Sequence, residues 1–326
     1  MKNKNIDVVA LGELLIDFTE YGESTQGNPL LEANPGGAPC NVLAMLTKLG
    51  NKTAFVGKVG CDQFGEMLTT RVSELGIDTT YLYKDREVHT TLAFVHTFPD
   101  GDRDFSFYRN PGADMMLTDD EIPEELLKQS RIFHFGTLSM THEGNRKATQ
   151  KALNIAKENG CIISFDPNLR PPLWDSMDTA KQQVEYGLQY CDILKISDNE
   201  IQWFTGEEDF DKGIAKLQAQ YNIPLILLSM GRDGSRAYYK GLCVEVKSFI
   251  QENTIETTGA GDTFGGCALH HILQWGLENL TEEKLRKMLT FANAGASIIT
   301  TRKGALSVMP SEGEIYSLIK ANSFYS

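Results

Sequence analysis

The sequence predicts a layered α/β protein with a central, mostly parallel sheet, and three observations lead to this fold class. Short runs rich in Val, Ile and Phe alternate with longer segments of helical period along most of the 326 residues. One pair of alternating runs is joined by a turn without a helix, which predicts a hairpin set apart from the main sheet. The composition, 41% hydrophobic and 23% charged, is that of an ordinary globular protein.

The first part of the chain predicts strands and helices in alternation. Each predicted helix is followed by a glycine, Gly50 or Gly76, which is the residue that most often ends a helix. The predicted elements are a strand at 6–11, a helix at 41–49, a strand at 53–59 and a helix at 63–75.

The predicted hairpin consists of the runs 90–98 and 103–108 around the turn-rich residues 99–102. A hairpin inside an α/β protein is often an insertion that projects from the main sheet. We therefore expect segments of about 15–33 and 89–113 to build a small β lid.

The remaining chain resumes the alternation, without an internal repeat or a linker. We therefore expect residues 1–326 to form a single domain with its lid. Strands are predicted at 132–135, 161–165, 193–196 and 224–229, short antiparallel runs at 235–239 and 244–250, and helices at 143–158, 175–190, up to 205–206, near 211–220, 261–275 and 281–300.

The charge balance argues against nucleic-acid and anionic-membrane partners. Lys and Arg number 31 against 44 Asp and Glu, a net charge of −13, and no basic stripe interrupts this excess. No signal peptide and no run of about 20 apolar residues is readable, which predicts a cytoplasmic protein. The six cysteines are scattered, so free thiols are expected and a zinc site is not.

A glycine-rich segment at residues 257–264, Thr-Thr-Gly-Ala-Gly-Asp-Thr-Phe, leads into the last-but-one predicted helix. The free N–H groups and positive dipole end of such a helix form an anion site, and glycine lets a phosphoryl group approach the backbone. Because a carboxylate repels phosphate, Asp262 beside this site fits a base that accepts the proton of an attacking hydroxyl. The segment alone is equally compatible with a structural helix start capped by Thr258.

Other phosphate-binding motifs do not match. Phe264 stands where a dinucleotide fingerprint has its third glycine, and the chain has no Gly-x-x-x-x-Gly-Lys-Ser/Thr segment. A P-loop kinase is therefore excluded.

Two further stretches complete a family pattern. Residues 35–41 read Pro-Gly-Gly-Ala-Pro-Cys-Asn, and residues 56–65 read Val-Gly-Lys-Val-Gly-Cys-Asp-Gln-Phe-Gly. Together with 257–264, they resemble the PfkB, or ribokinase-like, carbohydrate kinases over essentially the whole chain. The resemblance implies a three-layer α/β/α fold with a small β lid, ATP with Mg²⁺ as cofactors, and frequently a monovalent cation such as K⁺.

The resemblance also implies the sugar and catalytic residues. Asp262 corresponds to the base, and an ionised Asp17 suits vicinal sugar hydroxyls because a carboxylate has acceptor sites for two donors. By itself, Asp17 reads as a turn residue at the end of a strand, and Arg109 and Arg170 as members of salt bridges at the rim. The implied anion hole is Gly259, Ala260 and Gly261, and the implied substrate-binding residues are Asp17, Gly36, Gly37, Asn41, Arg109, Asp166, Asn168 and Arg170.

The nucleotide and metal positions follow from the same resemblance. Glu200 corresponds to a glutamate that orders Mg²⁺ through water, although a solvated helix residue is the ordinary interpretation of such a position. Glu256 stands where the family usually has Asp, which puts the monovalent-cation site in doubt. The implied nucleotide residues are Lys195, Ser229, Gly231, Gly234 and Asn293, and those of the monovalent site are Glu256, Thr258, Ile299, Arg302 and Gly304.

Residues 105–114 resemble the segment that leads out of the lid hairpin in fructokinases, and residues 166–174 resemble a stretch shared by fructokinases and 2-keto-3-deoxygluconate kinases. The resemblance therefore implies a fructokinase, which transfers a phosphoryl group from ATP to fructose. The same-class alternatives are 2-keto-3-deoxygluconate kinase, ribokinase and a nucleoside kinase, since lid and pocket geometry decide the substrate. A sugar-binding regulator without chemistry is an alternative of another class, and a nicotinamide dehydrogenase is a third. Sugar and ATP are the expected partners, with a homodimer through the lid edge as a further expectation.

Overall fold

The computed structural model describes residues 4–97 and 103–322. The strands are β1 (Ile6–Leu11), β2 (Leu15–Glu23), β3 (Pro29–Gly36), β4 (Thr53–Gly60), β5 (Asp78–Asp85), β6 (Leu92–Thr97), β7 (Arg103–Tyr108), β8 (Ser130–Gly136), β9 (Ile162–Asp166), β10 (Ile193–Ser197), β11 (Leu225–Ser229), β12 (Ser235–Tyr239) and β13 (Leu242–Val246). The helices are α1 (Ala38–Lys48), α2 (Gln63–Glu74), α3 (Glu124–Lys128), α4 (Glu143–Glu158), α5 (Met177–Tyr190), α6 (Asp198–Thr205), α7 (Phe210–Gln220), α8 (Ala260–Trp275), α9 (Glu282–Ile299) and α10 (Glu312–Asn322).

Nine strands form one large sheet in the order β13-β12-β11-β10-β9-β8-β1-β4-β5. All neighbouring pairs are parallel except β11 with β12 and β12 with β13. Successive residues of β1 pack into two different apolar clusters: Val8 and Ala10 into one, Val9 and Leu11 into the other. The sheet is therefore buried on both faces between helix layers, and the predicted fold class is confirmed.

A second, four-stranded sheet has the order β3-β2-β6-β7. It joins strands from both segments predicted for the lid, with β2 and β6 parallel and the other pairs antiparallel. The predicted turn at 99–102 lies outside the described residues. Asp17 lies inside β2, paired with Asn34 of β3 and Ala93 of β6. It is therefore a residue within a strand and not the turn residue that its local sequence suggests.

Several boundaries differ from the sequence prediction for identifiable reasons. Helix α1 begins three residues before the predicted start because Pro39 is tolerated in a first helical turn. Strand β13 ends at Val246, opposite Ser235, where β12 begins, so the predicted continuation to residue 250 has no strand to pair with. Strand β5 and helices α3 and α10 were not predicted. In the parts of the chain that the structure describes, no helix is long and apolar enough to cross a membrane.

Candidate active site

A cavity lined by several ionisable side chains lies between the two sheets, where the carboxyl ends of the parallel strands meet. Its volume is about 450 Å³. Asp17 enters it from the small sheet, Arg170 from the loop after β9, Lys195 from β10 and Asp262 from α8. Ligand sites of open α/β sheets are expected at this edge.

The first turn of α8 forms one wall of the cavity. Gly259 precedes the helix with φ +76, in the left-handed region that glycine adopts without strain. A Cβ at Gly261 would lie 3.0 Å from the Nζ atom of Lys195. The backbone of residues 259–261 is therefore bare of large side chains and lies beside the largely buried ammonium group of Lys195. These are the properties of an anion site.

Asp262 is buried in this first turn, with 9% of its surface exposed. Its Oδ2 accepts a hydrogen bond of 2.8 Å from Nδ2 of Asn41 on α1. Burial raises the pKa of Asp262, while the Asn41 hydrogen bond and the charges of Lys195 and Arg170 lower it, and the net direction is upward. A buried carboxylate with a raised pKa is a better proton acceptor than an exposed one.

Asp17 faces the same cavity. Burial raises its pKa to about 7, helped by the charges of Glu256 and Asp262 and opposed by Arg170. A Cβ at Gly36 would clash with the Asp17 carboxylate. The glycine in β3 therefore leaves the space in which this carboxylate lies, and the two predicted residues depend on each other sterically.

Gly37 and Asn41 lie next to this pair, at the start of α1. Gly37 has φ +131, and a Cβ there would clash with the backbone carbonyl of Glu13. The Oδ1 atom of Asn41 is buried and has no hydrogen-bond partner in the protein. A buried acceptor of this kind is costly unless a ligand or water satisfies it, so the cavity offers a hydroxyl group a place to donate.

The loop after β9 brings the other predicted substrate residues together. The Nη1 atom of Arg170 donates to Oδ1 of Asn168 over 2.8 Å. Asp166 forms an ion pair of 3.0 Å with Lys195, and burial raises its pKa to about 6 against the effect of that lysine. Burial lowers the pKa of Lys195, but Asp166, Glu200 and Asp262 outweigh it, so the lysine stays charged.

Arg109 does not line the cavity. Its guanidinium forms an ion pair of 2.7 Å with Asp114 and donates to Oγ1 of Thr141 and to the carbonyl of Leu138, over 2.9 and 3.0 Å. Both charged side chains are almost fully buried. The structure thus gives Arg109 a role inside the protein, and the direct sugar contact implied by the resemblance has no geometric support here.

A second cavity, of about 240 Å³, contains most of the predicted nucleotide residues. Ser229, Gly231, Gly234 and Asn293 all line it. Lys195 is the exception, since it lines the first cavity. Thr257 and Gly261 border both cavities, so the two spaces meet at the glycine-rich turn before Asp262.

Both polar atoms of the Asn293 side-chain amide form hydrogen bonds within the protein. Its Oδ1 accepts from Oγ of Ser235 over 2.8 Å, and its Nδ2 donates to the carbonyls of Val246 and Lys247 over 3.0 and 3.2 Å. Asn293 therefore ties the end of β13 to α9. It shapes the cavity wall by holding these two elements together.

Glu200 caps the helix on which it lies. Its Oε1 accepts from the backbone N–H of Leu169 over 2.8 Å, and its Oε2 accepts from N and Oγ of Ser197 over 2.9 and 2.7 Å. Burial raises its pKa, but Lys195 and these hydrogen bonds lower it more strongly, so Glu200 is ionised. It is a partly buried carboxylate held by the protein, not the solvated helix residue of the ordinary interpretation.

The residues predicted for a monovalent cation lie around the end of α9. Oε1 of Glu256 accepts from the backbone N–H of Gly304 over 2.6 Å. The carbonyl of Ile299 accepts from the N–H of Arg302, whose guanidinium bonds the carbonyl of Val308 over 2.8 Å. Thr258 lines the first cavity. Among residues 4–97 and 103–322, no group of three or more His, Cys, Asp or Glu side chains has the arrangement of a metal centre.

Six residues that line the first cavity are absent from the predicted site: Glu13, Leu15, Ala38, Phe107, Leu138 and Thr257. Glu13 had a readable signal, because an acidic residue two positions after a buried strand lies at the edge where α/β proteins bind ligands. Phe107 and Leu138 had none, since apolar residues in a strand or a loop are ordinarily core.

Comparison with known proteins agrees with this geometry. The model of the pfkB family carbohydrate kinases matches residues 5–312, and the chain belongs to this family. It is therefore a sugar kinase, a phosphotransferase.

Among curated proteins, it is 42% identical to "Probable fructokinase-2" of Arabidopsis thaliana over 98% of this chain and 97% of that protein. It is 40% identical to "Fructokinase-2" of Solanum lycopersicum, over 97% of each chain. The structure of a fructokinase from Xylella fastidiosa with bound ATP has a TM-score of 0.88, at 30% identity, and covers 97% of this chain and 99% of its own. The three-layer fold that the resemblance implied is confirmed.

Proposed function

We propose that the protein is an ATP-dependent fructokinase, which transfers a phosphoryl group from ATP to a hydroxyl group of fructose. The observation that carries this proposal is the position of Asp262, at the turn where the charged cavity and the glycine-lined cavity meet. Relatives named fructokinase at about 40% identity support the substrate. So does a fructokinase of Vibrio cholerae with bound fructose and ADP, which has a TM-score of 0.87 at 28% identity over 96% of this chain and 99% of its own.

The chemistry follows from three groups around the turn. Asp262 accepts the proton of the attacking hydroxyl as the new bond to phosphorus forms. The N–H groups at the start of α8 and the ammonium of Lys195 face the charge that develops on the transferred group. Since phosphoryl transfer requires little covalent participation by the protein, positioning and electrostatic stabilisation supply most of the catalysis.

Sugar recognition rests on the charged cavity. An ionised Asp17 accepts from two hydroxyl groups, and Oδ1 of Asn41 accepts from one more. Arg170 and Asn168 line the same cavity. Of the two arginines that sequence reasoning offers for the sugar, Arg109 is bound to Asp114, which leaves Arg170 in the cavity. This composition suits an uncharged polyol.

The metal requirement rests on the carboxylates beside Lys195. Proteins hold Mg²⁺ through one or two carboxylates together with substrate phosphates. Asp166 and Glu200 are oxygen donors of that kind, and Glu200 is ionised. Bound Mg²⁺ would neutralise charge on the phosphates. Backbone oxygen donors for K⁺ are present around Thr258, Ile299, Arg302 and Gly304, and Glu256 beside them accepts the Gly304 N–H.

The test is ADP release by the purified protein with Mg·ATP. Fructose, 2-keto-3-deoxygluconate, ribose, glucose and adenosine serve as acceptors, each with and without potassium. We expect fructose to give the highest kcat/KM. A higher kcat/KM with another acceptor would replace the substrate but keep the reaction class, whereas ATP and sugar binding without turnover would favour a regulator.

We also propose that residues 1–326 act as one kinase domain in the cytoplasm and form a homodimer through the lid sheet. The lid exposes Tyr21, Leu30, Leu31 and Tyr108, with 44 to 66% of the surface of each residue in contact with solvent. Exposed apolar side chains on a sheet with open edges are suited to pairing with a second copy. Sedimentation velocity of the wild type and of a Leu30→Glu, Leu31→Glu variant tests this, because only the variant should be monomeric.

A further inference from the structure

Glu13 is a buried carboxyl group that the proposed chemistry does not use. It lies two residues after β1, with 4% of its surface exposed. Its Oε1 accepts the backbone N–H of Ala38, the first residue of α1, over 2.9 Å. The N-cap residue of this helix is Gly37, which has no side chain to cap it, and Pro39 has no N–H. Glu13 therefore serves as the cap of α1 from another part of the chain.

Helix α1 carries the group that holds the base. The backbone N–H of Asn41 donates to the carbonyl of Gly37 over 3.0 Å, so Asn41 belongs to the same helical turn that Glu13 caps. The Nδ2 of Asn41 in turn donates to Asp262 over 2.8 Å. Three hydrogen bonds thus connect the Glu13 carboxyl group to the carboxylate of Asp262 through the first turn of α1.

The two helices are packed closely along this connection. A Cβ at Gly266, one turn after Asp262, would lie 2.8 Å from Cβ of Met45 on α1. Such close contact means that a shift of α1 changes the position of its side chains relative to α8. The start of α1 is also packed tightly on its other side, because the backbone of Gly37 lies against the carbonyl of Glu13.

We propose that Glu13 is a positioning residue for phosphoryl transfer, which holds the first turn of α1 so that Asn41 orients Asp262. This inference rests on the proposed kinase function and deepens it. Glu13 touches neither the phosphoryl group nor the attacking hydroxyl in this role. It acts through Asn41, and its loss should impair kcat more than the KM for ATP.

The role requires an acceptor oxygen and no negative charge. Burial raises the pKa of Glu13 to about 7, and the charge of Asp114 adds to this rise. Hydrogen bonds from the backbone N–H groups of Glu13 and Ala38, and the charge of Arg109, lower the pKa but do not outweigh burial. A protonated carboxyl and an amide both retain an oxygen that accepts from Ala38. Glu13→Gln should therefore preserve the function, and Glu13→Ala should not.

The experiment is a double-mutant cycle on kcat with fructose and Mg·ATP. We expect Glu13→Ala to lower kcat by about 10- to 100-fold, because a small misplacement of reacting groups has effects of this size. Glu13→Gln should stay within about threefold of the wild type, because it keeps the acceptor oxygen. If Glu13 acts through Asn41, Glu13→Ala should have little further effect in an Asn41→Ala background. Additive losses, or an unchanged kcat in Glu13→Ala, would overturn the proposal.

Hydrogen exchange separates this inference from the proposed function. Amides at the start of α1 should exchange faster in Glu13→Ala than in the wild type and in Glu13→Gln. If the wild type phosphorylates none of the sugars, the kinase proposal fails and the positioning role fails with it, even where exchange still responds to Glu13. If the wild type is active but exchange is the same in all three proteins, the kinase proposal stands and only the role of Glu13 is wrong.

Discussion

The two cavities that meet at Gly261 are built from different kinds of residue. The first is lined by ionisable side chains, among them Asp17, Arg170, Lys195 and Asp262, which are buried or partly buried. The second is lined largely by glycine, small and apolar residues, with Arg232 as an ionisable exception, and its Asn293 is bound to the protein itself. The first cavity therefore presents charged groups to a ligand, and the second presents mainly a closely fitting wall.

The difference reflects two separate requirements of phosphoryl transfer, the chemical step and the binding of the nucleotide. Proton acceptance and the stabilisation of developing charge need buried ionisable groups, whose pKa values depend strongly on their surroundings. A nucleotide needs a close-fitting wall, which glycine supplies by letting the backbone approach. Substitutions in the first cavity should therefore act through charge, and substitutions in the second through steric fit.

The largest effect is expected for Asp262→Asn. The amide keeps the size of the side chain and can still accept from Asn41, but it cannot take a proton from the sugar. We expect kcat to fall by about 10²- to 10⁴-fold, the usual contribution of a general base. Fructose binding, measured by calorimetry, should change little. Unchanged turnover would remove Asp262 from its proposed role.

Of the two substrates, Asp17→Asn should weaken the binding of the sugar and leave that of ATP unchanged. Loss of a charged acceptor costs about 1.5–3 kcal/mol, so the KM for fructose should rise roughly 10- to 100-fold while the KM for ATP stays the same. Because the pKa of Asp17 is about 7, the affinity of the wild type for fructose should fall as the pH drops below 7. The variant should lose this pH dependence, and equal changes in both KM values would argue against a sugar contact.

Gly234→Ala tests the steric character of the second cavity. A Cβ there would clash with the carbonyl of Val246, and the residue has φ +103. We expect the KM for ATP to rise by about tenfold and the stability to fall by about 1–3 kcal/mol, because the backbone strain has no relief. Gly241→Ala is the matched control, since Gly241 also has positive φ but faces open space outside either cavity. The same rise in KM in both variants would contradict the steric explanation.

The smallest expected effect is the pH dependence that Asp17 gives to the free energy of unfolding. A carboxyl group whose pKa is higher in the folded than in the unfolded protein loses stabilisation as the pH rises between the two values. For Asp17 this range runs from about 4 to about 7. Asp17→Asn should thus have a higher Tm than the wild type at pH 8 and a similar Tm at pH 4. A lower Tm at pH 8 would mean that the buried charge stabilises the fold.

Much of the fold could be predicted because its signals are local. The alternation of strand and helix patterns, the capping glycines and the two lid segments follow from residue types in short windows. Helix α10 was missed because only Ile315 among its residues is fully buried, which leaves a weak apolar pattern. Strand β5 was missed because it is an edge strand with alternating exposure and many polar residues.

The candidate site was likewise predicted only in part. Its family pattern marked the residues around Asp17, Asn41, Arg170 and Asp262, which meet in one cavity although up to 245 positions separate them. Arg109 was assigned to the sugar because a motif does not reveal that Asp114 binds its guanidinium. Glu13 was overlooked because its partner, the N–H of Ala38, lies in a different element.

The class of fold, the kinase family and the kinds of side chain available for the chemistry follow from the amino-acid sequence, because they depend on periodicity and on motifs that are contiguous in the chain. The folded structure is needed to establish which charged groups lie close together, how burial raises the pKa values of Glu13, Asp17 and Asp166, and which arginine remains in the cavity. Desolvation and ion pairing depend on neighbours in space, and these neighbours come from segments that are distant in the sequence.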